Sequence, residues 1–139
     1  MKGATPLERL HYFCQRGACD EVKDLLKKNA RIVNDPGNLG NTALYWAAAG
    51  GFVDICTVLC DKKADVNKAN SRGDTPLHAA CWKNHAGVIT YLLRKNANKN
   101  ARNSDGKYPS DLARGAESRR ALGGFSSSNY VTAADSDSD

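Results

Sequence analysis

Long apolar runs are missing from this chain. The longest stretch of apolar residues lies around residues 43–49, far short of the ~20 residues that a membrane-spanning helix needs. The N-terminus also lacks the apolar segment of about 7 to 15 residues that defines a secretory signal peptide. We therefore expect no membrane span and a cytoplasmic location, with the nucleus also accessible.

An even set of cysteines is missing too, because the chain has five. Four of them occupy small or apolar positions of expected helices, as buried free thiols do. These four are Cys14, Cys56, Cys60 and Cys81. The pattern argues against a disulfide framework and favours a reducing compartment.

Basic residues are absent from the end of the chain. The last fourteen residues contain Asp135, Asp137 and Asp139 and no lysine or arginine, whereas the whole chain carries a net charge of +5. Without those three carboxylates the first 125 residues carry +8. The expected folded part is therefore distinctly basic.

What the sequence does contain is a repeated twelve-residue stretch, best seen at residues 73–84. Gly73 suits the tip of a turn, and Thr75 followed by Pro76 is typical of a helix N-cap and first helical residue. Leu77, Ala80 and Cys81 then share one helix face. Four residues of this stretch, and one that follows it, recur 33 positions earlier. They are Gly40, Thr42, Leu44, Ala47 and Leu59, matching Gly73, Thr75, Leu77, Ala80 and Leu92.

The segments TPLHAA and TALYWA, in register at this period, resemble the ankyrin repeat. The resemblance implies an all-α solenoid of about four helix-turn-helix units, two complete and two capping, with β-hairpin-like turns. The units are expected at about residues 5–36, 37–69, 70–102 and 103–124. A solenoid of this size is expected to be a monomer with a narrow continuous core.

Helix boundaries follow from the capping and spacing signals. The capping-box pattern Thr5-Pro6-Leu7-Glu8 predicts the first helix start. Tyr108-Pro109 predicts the opening of the last unit, which departs from the repeat and suits a half-exposed cap. Helices are expected over residues 6–16, 20–28, 42–50, 53–61, 75–84, 86–95 and 116–122.

Residues 125–139 form a Ser- and Asp-rich acidic segment with little apolar surface, which predicts a flexible tail. Thr132 with Asp135, and Ser136 with Asp139, fit the substrate pattern of an acidophilic kinase. A purely solubilising tail is the simpler interpretation.

Histidine and cysteine side chains raise the question of a metal or catalytic site. His78, Cys81 and His85 lie on one helical face, and zinc accepts nitrogen and sulfur ligands. The ankyrin resemblance instead implies that His78 ties neighbouring turns by hydrogen bonds, while Cys81 belongs to the core. No nucleophile is paired with a base and an orienting third group. We therefore expect no catalytic residues, no metal and no cofactor.

Large side chains that the core does not require are the candidate binding residues. Trp46 and Trp82 project off the packed faces of their helices, and Tyr12 occupies the register of Trp46 one unit earlier. Together with residues of the turn tips they are expected to form a concave surface that binds a protein or peptide. The alternative is that each ring only covers the core. The predicted binding residues are Trp46, Trp82, Tyr12, Leu39, Asn41, Arg72, Asp74, Lys83 and Lys107.

Basic residues one repeat apart predict a second surface. They are Lys62, Lys63, Lys68, Arg94, Lys95, Lys99, Arg102, Arg114, Arg119 and Arg120. Such a stripe could bind nucleic acid or an anionic membrane surface, or it could be a solvated face. Nucleic acid is disfavoured, because stacking aromatics are expected on the inner helices, away from the basic turns.

Residues 40–113 also resemble the ankyrin region of adaptors of the osteoclast-stimulating factor kind. The segments GNTALYWAAAGGFVDI and GDTPLHAACWKNHAGVITYLL carry this resemblance and include both tryptophans. Those adaptors place an SH3 domain before their repeats, and we expect none here, since four residues precede Thr5. The resemblance implies a cytosolic, non-catalytic adaptor or regulator.

Overall fold

The computed structural model describes residues 3–123, and the expected acidic tail at 125–139 lies outside the described residues. The described part contains eight α-helices, no β-strand, and two short 3-10 helices, Ala30–Asn34 and Asn38–Gly40. The α-helices are α1 Pro6–Arg16, α2 Cys19–Lys28, α3 Ala43–Gly50, α4 Val53–Asp61, α5 Pro76–Trp82, α6 Ala86–Arg94, α7 Pro109–Leu112 and α8 Ala116–Gly123.

These helices form two parallel rows. The inner row is α1, α3, α5 and α7, and each of these packs against the next. The outer row is α2, α4, α6 and α8, again packed in sequence. Within the first three units the inner helix also contacts its own outer helix. The predicted all-α repeat solenoid is confirmed.

Helix starts follow the predicted capping chemistry. The Thr5 hydroxyl accepts a hydrogen bond from the Glu8 amide at 3.1 Å, and the Glu8 carboxylate accepts one from the Thr5 amide at 2.9 Å. Thr75 similarly accepts from the His78 amide at 3.3 Å, ahead of Pro76 at the first helical position. Both interactions satisfy amides that have no partner inside the helix.

The core is a continuous cluster to which the inner and outer helices both contribute large, fully buried side chains. Inner helices also contribute small side chains such as Ala47, Ala48 and Ala80, which are fully buried and let neighbouring helices approach closely. The large side chains of the outer helices include Leu26, Ile55, Leu59, Val88 and Leu92. Each large side chain contributes about 1.5–3 kcal/mol on burial.

Glycines after the inner helices allow the units to stack. Gly17 and Gly51 adopt φ of 74° and 78°, and a Cβ atom there would lie 2.7 Å from the Phe52 ring and 2.6 Å from the His85 ring, respectively. His85 also donates from Nε2 to the carbonyl oxygen of Ala49 at 3.0 Å. The Phe52 ring of the second unit and the His85 ring of the third therefore pack directly on the glycine of the preceding unit. A residue with a Cβ atom would clash there.

Among the expected helix bounds, those of α5 differ most from the structure, which has Pro76–Trp82 instead of residues 75–84. The C-terminal unit, for whose inner helix no bounds were expected, contains the shortest α-helix of the described part. Its inner helix, α7, is a single turn of four residues, and the residue after it, Ala113, has an extended backbone conformation. The Asp111 carboxylate closes this turn by accepting the Tyr108 amide at 2.8 Å. A shortened helix of this kind is consistent with the predicted capping role, since the repeat pattern fades after Tyr108.

Candidate functional site

Three hairpin tips line one edge of the inner row. They are residues 37–41, 70–74 and 103–107, each closed by a hydrogen bond from the first amide to the last carbonyl oxygen at 2.9, 2.9 and 3.0 Å. Consecutive tips are joined by Ser71 N–H to the Leu39 carbonyl at 3.0 Å and Ser104 N–H to the Arg72 carbonyl at 2.8 Å. The expected β-hairpin-like turns are therefore present, and they form a connected edge.

Asparagine side chains fix these tips relative to one another. Asn70 donates from Nδ2 to the Asn41 side-chain oxygen at 2.8 Å, and Asn103 donates to Asp74 Oδ1 at 2.9 Å one unit later. This network corrects one prediction, because Asn41 is only 4% exposed. Its side chain links two tips and is not available as a partner contact.

His78 joins the third unit to the fourth. Its Nδ1 accepts the Thr75 amide at 3.1 Å, and its Nε2 lies 2.9 Å from the Lys107 carbonyl oxygen, to which it donates. The ring is fully buried. Both ring nitrogens are used, so His78 has the structural role that the sequence indicated and offers no free nitrogen to a metal.

A depression of about 220 Å³ lies between the inner helices and the last two tips. It is lined by Tyr45, Arg72, Asp74, His78, Ala79, Trp82, Asn103, Asp105 and Leu112. Trp82, Arg72 and Asp74 of the predicted set therefore come together here. Within α5 every residue before Trp82 is buried, whereas Trp82 is 54% exposed at the helix end.

Tyr45 belongs to this depression and was missed from the sequence. Burial raises the pKa of its hydroxyl, the Asp74 carboxylate raises it further, and the Arg72 guanidinium opposes them. The signal was present, since Tyr45 stands 33 residues before His78, at the motif-histidine position. Leu112, at the end of α7, was also missed, because α7 carries only a weak form of the repeat.

Trp46 occupies a different environment from Trp82. It is half-buried, packs against the core cluster, and meets the Tyr45 ring edge-to-face with 5.7 Å between centroids. It does not line the depression around Trp82. The expectation that both indoles project off the packed surface holds for Trp82 and is only partly met for Trp46.

The first inner helix and the first hairpin tip each carry one more exposed apolar side chain. Tyr12 is 41% exposed, with the Arg16 guanidinium 5.4 Å from its ring centroid. Leu39 is 63% exposed at its hairpin tip and adopts φ of 60°, a left-handed conformation that a leucine rarely takes. Both residues lie outside the depression.

The two lysines of the predicted set, Lys83 and Lys107, lie next to Trp82 and at the third hairpin tip, respectively. Lys83 places its ammonium 4.5 Å from the Trp82 ring centroid, in a cation–π arrangement. Lys107 has an exposed side chain, while its backbone carbonyl is held by His78.

The basic residues of the predicted stripe lie at the ends of the outer helices α4 and α6, in the turns that follow them, and on or just before α8. Nine of the ten predicted stripe residues are exposed; they are Lys62, Lys63, Lys68, Arg94, Lys95, Arg102, Arg114, Arg119 and Arg120. Lys99 is the exception, because it is half-buried, donates from Nζ to the Leu122 carbonyl at 3.2 Å, and has a pKa lowered by burial.

Burial keeps the cysteine thiols protonated and therefore weakly reactive. Burial raises the pKa of Cys56 and of Cys81 to about 12, and it raises the pKa of Cys14 as well. The neutral thiol is a poor nucleophile and a poor metal ligand. Within residues 3–123, no group of three or more histidine, cysteine or acidic side chains is arranged to hold a metal ion.

The family model for ankyrin repeats (3 copies) matches residues 10–103, more than half of the chain. The chain belongs to the ankyrin-repeat family, whose members are generally protein-protein interaction modules. None of the helices in the described part is long and apolar enough to cross a membrane.

Proposed function

We propose that this chain is a non-catalytic adaptor or regulator that binds a protein or peptide on the concave face formed by its inner helices and hairpin tips. The observation that carries the proposal is Trp82, a large aromatic side chain left 54% exposed beside a depression. An indole at such a position costs solubility and contributes nothing to the core, whereas tryptophan is strongly enriched among residues that dominate binding energy.

Further exposed apolar side chains extend this surface toward the N-terminus. Tyr12 lies on α1, and Leu39 lies at the first hairpin tip. The rigid link between tips, through the Ser71 and Ser104 amides, holds such a surface in place before binding. Preorganisation of this kind reduces the entropy that a partner must overcome.

The family assignment supports a protein partner, and the resemblance of residues 40–113 to adaptors of the osteoclast-stimulating factor kind supports an adaptor role. We place this role in the cytoplasm, with the chain acting as a monomer of four units. The proline-rich ligands of an SH3 domain form no part of this proposal.

The test is affinity purification with quantitative mass spectrometry, using the wild-type chain and Trp82→Ala as baits. A direct partner should be lost with Trp82→Ala and retained by Asp61→Asn, a substitution on the outer helix α4. Partners that both variants capture equally with the wild type would contradict binding through Trp82.

A second candidate function is recognition of nucleic acid or an anionic membrane surface by the nine exposed basic side chains of the predicted stripe. Such binding should weaken steeply and linearly with the logarithm of salt concentration. Binding that is insensitive to salt would exclude this candidate and favour the aromatic surface.

A further inference from the structure

The depression beside Trp82 has a local charge opposite to that of the chain. Two carboxylates, Asp74 and Asp105, and one guanidinium, Arg72, line it, while the chain as a whole carries +5. The histidine of the lining, His78, uses both ring nitrogens in hydrogen bonds. The lining is therefore net acidic in a basic protein.

The carboxylates retain unused hydrogen-bonding capacity. Asp74 accepts one hydrogen bond, from Asn103 Nδ2 to Oδ1 at 2.9 Å. The Asp105 side chain is exposed and, within residues 3–123, takes part in no hydrogen bond or ion pair. Its backbone is held in place, because the Asp105 amide donates to the Asn103 side-chain oxygen at 3.0 Å. Neighbouring carboxylates with free oxygens suit a donor with several N–H groups.

The aromatic wall of the depression suits the same kind of group. Trp82 already has one cation at its ring, the Lys83 ammonium 4.5 Å from the centroid. The indole is the best side-chain partner for a cation–π contact. Tyr45 adds a second, half-buried ring to the lining.

We propose that this depression holds an arginine side chain of the bound partner, stacked against Trp82 and paired with Asp74 and Asp105; the proposal rests on the proposed function above. Arginine matches the site better than lysine, because its planar guanidinium stacks on aromatic rings and donates to two carboxylates at once. Arg72, on the same rim, offsets one of the two carboxylates, so the charge of the lining matches one basic side chain. The partner segment thus carries an arginine where it crosses the last two hairpin tips.

The two tryptophans allow a site-resolved test, because each contributes one indole N–H signal to a proton–nitrogen correlation spectrum. The probe is the blocked tripeptide acetyl-Ala-Arg-Ala-amide, and the control peptide carries citrulline, which has nearly the same shape without the charge. The Trp82 signal, assigned with a Trp46→Phe variant, should shift saturably with the arginine peptide. The Trp46 signal should stay in place, and citrulline should leave both unchanged.

Charge variants complete the test. Asp105→Asn should weaken binding of the arginine peptide about three- to fivefold, as expected for one exposed ion pair. Asp74→Asn combined with Asp105→Asn should weaken it about tenfold or more. Asp61→Asn makes the same charge change on the outer row and should have no effect. An equal response to citrulline, or an equal loss with Asp61→Asn, would overturn the proposal.

Failure of this proposal can be distinguished from failure of the proposed function. If Trp82→Ala abolishes partner capture while the arginine peptide leaves the Trp82 signal unmoved, the concave surface binds its partner without an arginine in the depression. If the peptide shifts the Trp82 signal but partner capture tolerates Trp82→Ala, the depression binds arginine and the adaptor surface lies elsewhere.

Discussion

His78 donates from Nε2 to the carbonyl oxygen of Lys107, 2.9 Å away and 29 residues later in the chain. Because the same ring accepts the Thr75 amide, His78 connects the start of α5 to the last hairpin tip. This contact couples the capping unit to the stack. In a solenoid the stability of a terminal unit depends on its single interface with a neighbour.

His78→Ala should therefore lower the free energy of unfolding by about 2–4 kcal/mol, through the lost hydrogen bonds and the cavity left in the core. Lys107→Ala is the matched control, since it keeps the carbonyl oxygen, and it should change stability by less than about 0.5 kcal/mol. Urea unfolding followed by circular dichroism measures both. Equal effects of the two variants would refute the coupling role of His78.

The two tryptophans should differ in their contribution to stability. Trp46→Ala removes a half-buried ring packed against the core and against Tyr45, which should cost about 2 kcal/mol. Trp82→Ala removes a largely exposed ring and should cost less than about 1 kcal/mol. Thermal unfolding of the two single variants measures this difference. A larger loss of stability from Trp82→Ala than from Trp46→Ala would contradict the assigned environments.

Leu39 should be replaceable with a gain in stability. Its φ of 60° is costly for leucine, whereas asparagine tolerates this conformation, so Leu39→Asn should stabilise the fold by about 0.5–1 kcal/mol. Leu39→Ala retains a Cβ atom and should show no such gain. If the Leu39 side chain contacts the partner, both variants should weaken capture in the affinity experiment despite their different stabilities.

The buried thiols make stability fall at alkaline pH. Cys56 and Cys81 have pKa values raised from the ordinary 9.0 to about 12. The unfolded chain therefore loses these protons near pH 9 while the folded chain keeps them, and the stability conferred by the neutral thiols is present below pH 9 and declines between pH 9 and pH 12. Each thiol contributes a slope of at most about 1.4 kcal/mol per pH unit.

Urea unfolding under reducing conditions at several pH values above 8 measures this slope. Cys56→Ala combined with Cys81→Ala should flatten it, whatever the variant's stability at neutral pH. An unchanged slope would assign the alkaline loss to the other buried groups, namely Cys14, whose pKa burial also raises, and Tyr91, whose pKa is raised to about 12, chiefly by burial.

The sequence by itself determined the units of this protein. Threonine and proline at helix starts, glycine after helices, and leucine spacing at a period of 33 residues are local signals, and they gave α1 and α4 with their observed bounds. The motif histidine His78 was also identifiable, because its role is fixed by its place in the repeat.

Only the tertiary structure decided which side chains a partner could reach. Trp46 and Trp82 look alike in sequence, but stacking of neighbouring units leaves one half-buried and the other exposed. Asn41 resembles an exposed tip residue until Asn70, 29 positions later, pairs with it. Tyr45 reaches the depression only because tips from two later units close around it. Accessibility depends on contacts between residues about 30 positions apart, whose geometry a repeat pattern does not encode.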